Sequence, residues 1–456
     1  MDTIIEQTTK KIKSKLEEIF NIEGQKIDIL EKEYSALLSD TFSQVAAAYY
    51  EKWDSALQKD KEARKQAGLV VERNNVKRDV LTSFGMLRYR RTYYHQVNED
   101  AYVFPTDLNA GVDSYQRIST TVTNNLVSRA IDTSYEKATQ YVTNKAISKQ
   151  TVMNKIRNTY VPEVTFPQKR TVPYLHIDAD EDHVHLQKGG KSTIVPLITV
   201  YEGIKKVNKR GICINAFSIS QYDKNITDIW DKVLTEIENR YDISNTKIYI
   251  HGDGASWVKS GLEWIPNSDF VLDEFHKNKA IKQSTSNMQS VDAKIYQKRI
   301  YDNLNNSDKN ELLEIKKEMS EKYPKCRASI DKNIQYLYNN DDGIRIRQYD
   351  QEANNGGCTE PHVSHVLSAR LSRTPSAWSE ETLRSLSPIL ASKRFAVGKK
   401  NVSESKESKV IRTERAKKYV KNSLGLIDPD IAVSIAGSLS GHSTCGLYSA
   451  LRPFMN

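Results

Sequence analysis

Tyr174-Leu175-His176-Ile177-Asp178-Ala179-Asp180-Glu181-Asp182, at residues 174–182, is the stretch whose reading decides the fold. A short apolar strand, Tyr174 to Ile177, runs directly into a string of carboxylates. His183 to Gln187 and Thr193 to Tyr201 read as two more strands, with Gly189-Gly190 as the turn between them. Ile226 to Tyr241 places Ile226, Ile229, Trp230, Val233, Leu234 and Ile237 at helical spacing. Lys247 to His251 predicts a fourth strand, Ala255 to Trp264 a helix, and Phe270 to Leu272 a fifth strand. Doubly wound α/β folds rarely open with three strands in a row.

Three antiparallel strands followed by alternating helix and strand is the order of the ribonuclease H fold. The expected class is therefore α/β, with a ribonuclease H-like catalytic core whose first part spans residues 165–276 and whose final part spans 346–385. Two of its strands end in acid: the first in Asp178, Asp180 and Asp182, the fourth in Asp253, followed by Gly254. Strand ends are where an α/β sheet presents chemistry. In this order strands one and four are neighbours, which brings their carboxylates together. Two carboxylates a few ångströms apart repel unless a cation lies between them. Magnesium prefers oxygen ligands and keeps room for water and phosphate. Two such ions about 3.5–4 Å apart can activate water and stabilise a leaving 3′ oxygen in phosphoryl transfer. Taken singly these residues read as caps or turns, Asp253-Gly254 being a common turn pair. Their joint placement carries the metal reading, and the residues alone leave Asp178, Asp180 and Asp182 open as the first ligand.

Between Phe275 and Tyr338 the sequence is charged and helical, with Leu304, Leu312, Ile315, Met319, Ile330, Ile334 and Leu337 at helical spacing. It predicts an all-helical insertion over 277–345. Beyond it, Thr359 is expected to cap a helix with Glu360 and Pro361 in its first turn. That brings Glu360 forward as the third carboxylate.

Pro162, Pro167 and Pro173 mark a boundary near residue 165. Upstream, residues 1–66 carry helical apolar stripes that predict packing or oligomerisation. Segment 67–114 holds a β-hairpin turning at Ser83-Phe84-Gly85. There Arg88, Arg90 and Arg91 alternate with Tyr89, Tyr93 and Tyr94, as in a strand lying along phosphates or in an exposed edge strand. Residues 115–164 predict a helix-turn-helix: Tyr115 to Ile131, a second helix capped by Ser134, and a third from Lys149 to Asn158. Lys149, Gln150, Asn154 and Arg157 would face outward and suit phosphates or base edges, although any three-helix bundle gives the same pattern.

The formal charge of the 456 residues is +9. Arg370 to Lys421 alone holds 14 Lys/Arg against 5 Asp/Glu, a surplus equal to that of the whole chain. This basic stretch, running into a C-terminal tail at 386–456, predicts an arm on nucleic acid through Arg370, Arg373, Lys399 and Lys400. No apolar run is long enough to cross a membrane, and the first twenty residues do not form a signal peptide. The four cysteines form no CxxC pair, which predicts a reducing, cytoplasmic setting.

Four stretches resemble a known family: DADEDHVHLQ at 178–187, IYIHGDGASWVKSGLEWIP at 248–266, FVLDEFHKNK at 270–279 and GCTEPHVSHVLSARLSRTPSAWS at 357–379. The chain resembles the DDE transposases of bacterial insertion sequences, in particular the ISLre-type group. The resemblance implies a triad of Asp180, Asp253 and Glu360 holding two Mg²⁺ ions, for which Mn²⁺ can substitute. It also implies supporting roles for Asp273, His276 and His362. The implied partners are double-stranded DNA, both terminal inverted repeats and target, bound by a homodimer or higher oligomer at the bacterial nucleoid. The implied reaction is hydrolysis at the element's end, followed by attack of the freed 3′-hydroxyl on target DNA. Two other readings remain open: a non-catalytic DNA-binding regulator, and a nuclease that cuts without joining.

Overall fold

The computed structural model describes residues 2–21, 26–208, 210–223, 225–305, 309–357, 362–374 and 376–397. The chain divides into two compact units, the first ending at Ile156 and the second beginning at Arg157.

The first unit opens with helices α1 (Asp2–Phe20), α2 (Ile27–Lys59) and α3 (Lys61–Gln66). A three-stranded antiparallel sheet follows, β1 (Leu69–Thr82), β2 (Gly85–Gln96) and β3 (Ala101–Val103), with β2 in the middle. The hairpin turns at Ser83-Phe84, between the paired Thr82 and Gly85. Val80, Leu87 and Tyr89 pack onto Ala46, Ala47 and Tyr50 of α2. Buried Asp54 of α2 accepts from the backbone and hydroxyl of Thr92 and from Thr106. That satisfies a carboxylate which would otherwise be costly to bury. After α4 (Pro105–Asn109) come α5 (Thr120–Asp132), α6 (Tyr135–Thr143) and α7 (Lys149–Arg157). Ser119, Ser134 and Ser148 accept from backbone N–H groups at the three helix starts. α5 begins later than the apolar pattern predicts, because Tyr115 has a positive φ and stands in solvent.

The second unit contains a short strand, β4 (Thr159–Tyr160), then β5 (Tyr174–His185), β6 (Ser192–Tyr201), the hairpin β7 (Ile204–Val207) with β8 (Arg210–Cys213), and β9 (Phe217–Ser220). α8 (Ile229–Arg240), β10 (Lys247–Gly252), α9 (Ser256–Lys259), α10 (Gly261–Trp264) and β11 (Ser268–Leu272) follow. The five-stranded sheet has the order β11-β10-β5-β6-β9. β6 is antiparallel to β5, and β9 to β6. β10 is parallel to β5, and β11 to β10. The unit is thus mixed α/β.

Two strand expectations are corrected. The segment 174–177 and residues 183–185 of the second expected strand belong to a single strand, β5, which continues through the carboxylates. The third antiparallel strand is Phe217–Ser220, not Thr193–Tyr201, which is the second. The acids Asp178, Asp180 and Asp182 therefore sit inside a strand rather than after one. The prolines also fall within the second unit: Arg170 exchanges backbone hydrogen bonds with Arg240 and Asp242.

Alternation along β5 sorts its residues onto two faces. Leu175, Ile177 and Ala179 join Trp230 and Val233 of α8, Ile248 and Ile250 of β10, and Trp257 and Val258 of α9 in the main core. Trp257 is a core residue. A second core is built by α11 (Glu274–Ser284), α12 (Ser290–Asn305), α13 (Lys309–Lys322), α14 (Arg327–Asn339) and α15 (Asp341–Tyr349). Among the described residues this insertion is entirely helical. β12 (Ala396–Val397) closes the described chain by pairing with β4.

Candidate active site

The opposite face of β5 carries His176, Asp178, Asp180 and Asp182, and these carboxylates differ sharply. Asp178 is buried; its Oδ1 accepts from Tyr201 Oη at 2.9 Å and from the Gly357 amide at 3.2 Å. Asp182 is buried and accepts from Ser368 Oγ at 3.0 Å and Ser372 Oγ at 2.7 Å. Burial pushes the Asp182 carboxyl up, against those hydroxyls. Asp180 is only partly buried. Of the three, it alone keeps solvent access.

β10 pairs with β5 in a register that sets Ile250 beside Ile177 and His251 beside Asp178. The pairing ends there: Gly252 is the last residue of β10 and Asp253 follows it, within electrostatic reach of Glu181 on β5. The backbones are close there: a Cβ on Gly252 would lie 2.8 Å from the Ala179 carbonyl oxygen. Asp253 Oδ1 accepts from the Ala255 amide at 2.8 Å, which fixes the turn. Gly254 has φ +83°, and a side chain there would collide with Asn340. On the far side, β11 continues the row. Leu272 pairs with Gly252, and the Asp273 amide donates to the Gly252 carbonyl at 2.9 Å. Asp253 and Asp273 thus directly follow the carboxyl ends of the parallel strands β10 and β11, while Asp180 lies within β5. Asp273 is buried and caps α11 through the Phe275 amide at 2.7 Å.

The surroundings are acidic and partly desolvated. Burial pushes the Glu181 carboxyl up; Trp257 Nε1, at 2.6 Å, opposes this and nearby Asp253 adds to it. Tyr336 donates to the Asp253 carbonyl, and its hydroxyl is pushed up by burial and by Asp253 and Asp273. The His276 ring lies within electrostatic reach of Glu181.

Behind the acids lies a buried polar layer that the sequence reading did not anticipate. His176 Nδ1 and His251 Nε2 are 3.1 Å apart, and His176 Nε2 is 3.4 Å from Glu352 Oε1. His176 stacks on Tyr201 and Tyr249. Burial holds both histidines below the ordinary imidazole range, His251 down to about 3. Both are therefore neutral when folded, whereas the unfolded chain binds protons below pH ~6.5. Stability is complete above that value and falls with decreasing pH, by about 1.4 kcal/mol per pH unit for each histidine still neutral when folded. The urea midpoint of the second unit is expected to drop clearly between pH ~7 and pH ~4.5. An unchanged midpoint would contradict the neutral assignment.

The other expected site residues are scattered. Lys149, Gln150 and Asn154 are exposed on α7, and Gln150 donates to Asn154 at 3.3 Å. Arg157 is not available as expected: it pairs with Glu381 at 2.7 Å and donates to Ser379 and Thr382. Arg88 and Arg90 are exposed on β2, whereas Arg91, expected beside them on phosphates, is buried against Asp107 and over the Phe104 ring. Arg370 covers the Trp378 ring at 4.6 Å, and Arg373, exposed, reaches Ser364 Oγ at 3.4 Å. His362 Nδ1 lies 3.3 Å from Asp178 Oδ2. Glu360, Lys399, Lys400 and most of the basic tail lie outside the described residues. Among the described residues no three His, Cys, Asp or Glu side chains converge to hold a metal ion. Asp180 and Asp253 supply two carboxylates of the oxygen-only kind that magnesium accepts.

A family model for an uncharacterised protein family, UPF0236, matches residues 20–408. The chain belongs to the UPF0236 family. Three similar relatives are UPF0236 proteins of Caldanaerobacter subterraneus subsp. tengcongensis. One is 38% identical over 353 residues, covering 75% of this chain and 72% of the relative. A second is 36% identical over 353 residues, covering 75% and 73%. A third is 36% identical over 348 residues, covering 75% and 72%. The name of the first runs over eleven loci and that of the third over four. The assignment to the ISLre-type transposases is thereby corrected: these relatives carry the UPF0236 name alone, and no transposase name occurs among them. Within UPF0236, the four motif stretches fall inside the matched residues.

Proposed function

We propose that this chain is a metal-dependent DNA phosphoryl transferase that cuts and joins strands at the ends of a mobile element. The observation that supports the proposal is that Asp180 lies on β5 and Asp253 directly follows its parallel neighbour β10. A sheet with three antiparallel strands and two more parallel to the first supports the finer reading of a ribonuclease H-like core. The partial exposure of Asp180, against the burial of Asp178 and Asp182, supports it as the first ligand. A relative whose name runs over eleven loci supports mobility, since one protein repeated across a genome is what a self-copying element leaves behind.

In this reading Asp180 and Asp253 hold Mg²⁺ or Mn²⁺, with Glu360 as the third carboxylate. When bound, the ions supply an activated water and charge neutralisation at the phosphate. Asp273 fixes the start of α11 beside the acids, and Tyr336 fixes the Asp253 backbone. α5 to α7 form the proposed helix-turn-helix, with Lys149, Gln150 and Asn154 toward terminal-repeat DNA and Arg88 and Arg90 on phosphates.

Lys149→Ala with Asn154→Ala is expected to weaken binding to duplexes from the element's ends at least about tenfold. The slope of affinity against salt should fall by about one for the lost phosphate contact. Electrophoretic mobility shifts over a salt series measure both. An unchanged affinity and slope would remove α7 from the DNA interface. Binding without Mg²⁺-dependent nicking of the same duplexes would favour the non-catalytic regulator.

A further inference from the structure

Helix α2 in the first unit presents three faces, and two are occupied. Ala46, Ala47 and Tyr50 pack onto the sheet. Asp40 faces α1, where it pairs with Lys11 at 2.8 Å. The third face carries Ile27, Tyr34, Leu38, Phe42 and Tyr49, all exposed. Phe84 at the hairpin tip joins them, its ring 4.7 Å from that of Phe42.

This stripe is a palindrome. Tyr34 and Phe42 stand four residues to either side of Leu38, and Ile27 and Tyr49 stand eleven to either side. Eleven residues make about three helical turns, so the five side chains stay on one face of a straight helix. Laid antiparallel on itself about a two-fold axis through Leu38, the helix sets Tyr34 against Phe42 of a second copy. Ile27 then meets Tyr49, and Leu38 meets its own counterpart. A patch that matches itself in this way is what an isologous dimer requires.

The area fits as well. With Phe84 the six side chains are 38% to 69% exposed and together present on the order of 600–700 Å² per copy. A standard interface buries about 800 Å² per partner, and Glu31, Val45 and Lys52 on the same stripe supply the remainder. Charge agrees with the antiparallel direction: exposed Lys52 comes within about one turn of exposed Asp28 of the second copy, at both ends of the stripe.

We infer that this face of α2 is the interface of a two-fold symmetric, antiparallel dimer of the chain, formed without DNA. The inference does not depend on the DNA reading.

Sedimentation velocity of the full chain at micromolar concentration, with no DNA, tests it. The native chain is expected to sediment with twice the mass of one copy. Leu38→Lys sets two like charges against each other on the axis and should raise the dissociation constant at least about a hundredfold, leaving monomer. Leu38→Glu should do the same. Mixed in equal amounts, the two variants should dimerise again, because lysine then meets glutamate; that recovery also shows that each is folded. Ile29→Lys, exposed on the same helix but off the stripe, should leave the dimer intact. A monomeric native chain would overturn the inference. So would a dimer that survives Leu38→Lys, two monomeric variants that fail to pair when mixed, or a dimer that Ile29→Lys disrupts equally.

Discussion

Replacing Asp253 by alanine is expected to abolish DNA strand cleavage while leaving end binding intact. Asp253 follows the last residue of β10; its backbone carbonyl is anchored by Tyr336, and its side-chain Oδ1 accepts from the Ala255 amide. The alanine variant keeps those anchors apart from the Oδ1 contact, so the fold should survive. What disappears is one of the two carboxylates that the proposal assigns to the metal. Loss of a ligand in a metal-assisted phosphoryl transfer removes several kcal/mol of transition-state stabilisation, a rate loss of about a thousandfold or more. Asp180→Ala should behave alike, and Asp178→Asn should not. Asp178 is engaged with Tyr201 and Gly357, so its loss should lower stability first. Parallel measurements of nicking rate, mobility shift and thermal midpoint separate these outcomes. Full cleavage by Asp253→Ala, with metal contamination controlled, would remove it from the reaction.

The largest stability effect is expected at Trp230. Its side chain is fully buried at the centre of the main core, and its Nε1 donates to the Trp257 carbonyl at 2.8 Å. α10 packs against it so tightly that a Cβ on Gly261 would lie 2.6 Å from the indole ring. Trp230→Ala leaves a cavity walled by helix and sheet and an unsatisfied carbonyl. Large aromatic truncations of this kind cost about 3–5 kcal/mol. Trp230→Phe keeps most of the volume, loses the hydrogen bond, and should cost about 1–2 kcal/mol. Urea unfolding of the two variants checks the order. Equal, small losses would mean that the core around α8 rearranges freely.

Much of this arrangement is legible in the sequence, and the failures have physical causes. Apolar runs such as Ile248 to Ile250 and Phe270 to Leu272 announce buried strands because both faces are covered. β5 is harder, because only one of its faces is apolar. A reading that follows hydrophobicity stops at Ile177, whereas the strand continues with Ala179 inward and Asp178, Asp180 and Asp182 on the other face. The choice among those three aspartates was not available from spacing. It depends on Tyr201, Gly357, Ser368 and Ser372, which approach from far along the chain. The buried pair His176 and His251 gave no signal for the same reason: each looks like an interruption in an apolar strand, and only the register brings them together. Arg157 illustrates the opposite error, since a helical face that looks solvent-directed is occupied by Ser379, Glu381 and Thr382. The proline cluster misled because proline marks extended backbone, and that backbone is hydrogen-bonded to α8's end and the residue pair beyond it.

The most direct test of the central claim is strand transfer from a pre-cut DNA end. Duplexes carrying the element's terminal sequence with a free 3′-hydroxyl are mixed with the full chain and a supercoiled plasmid, with Mg²⁺ or with a chelator. The account predicts covalently joined products that require Mg²⁺ and both Asp180 and Asp253. No joining under conditions where the ends are bound, or joining by the Asp253→Ala variant, would contradict it.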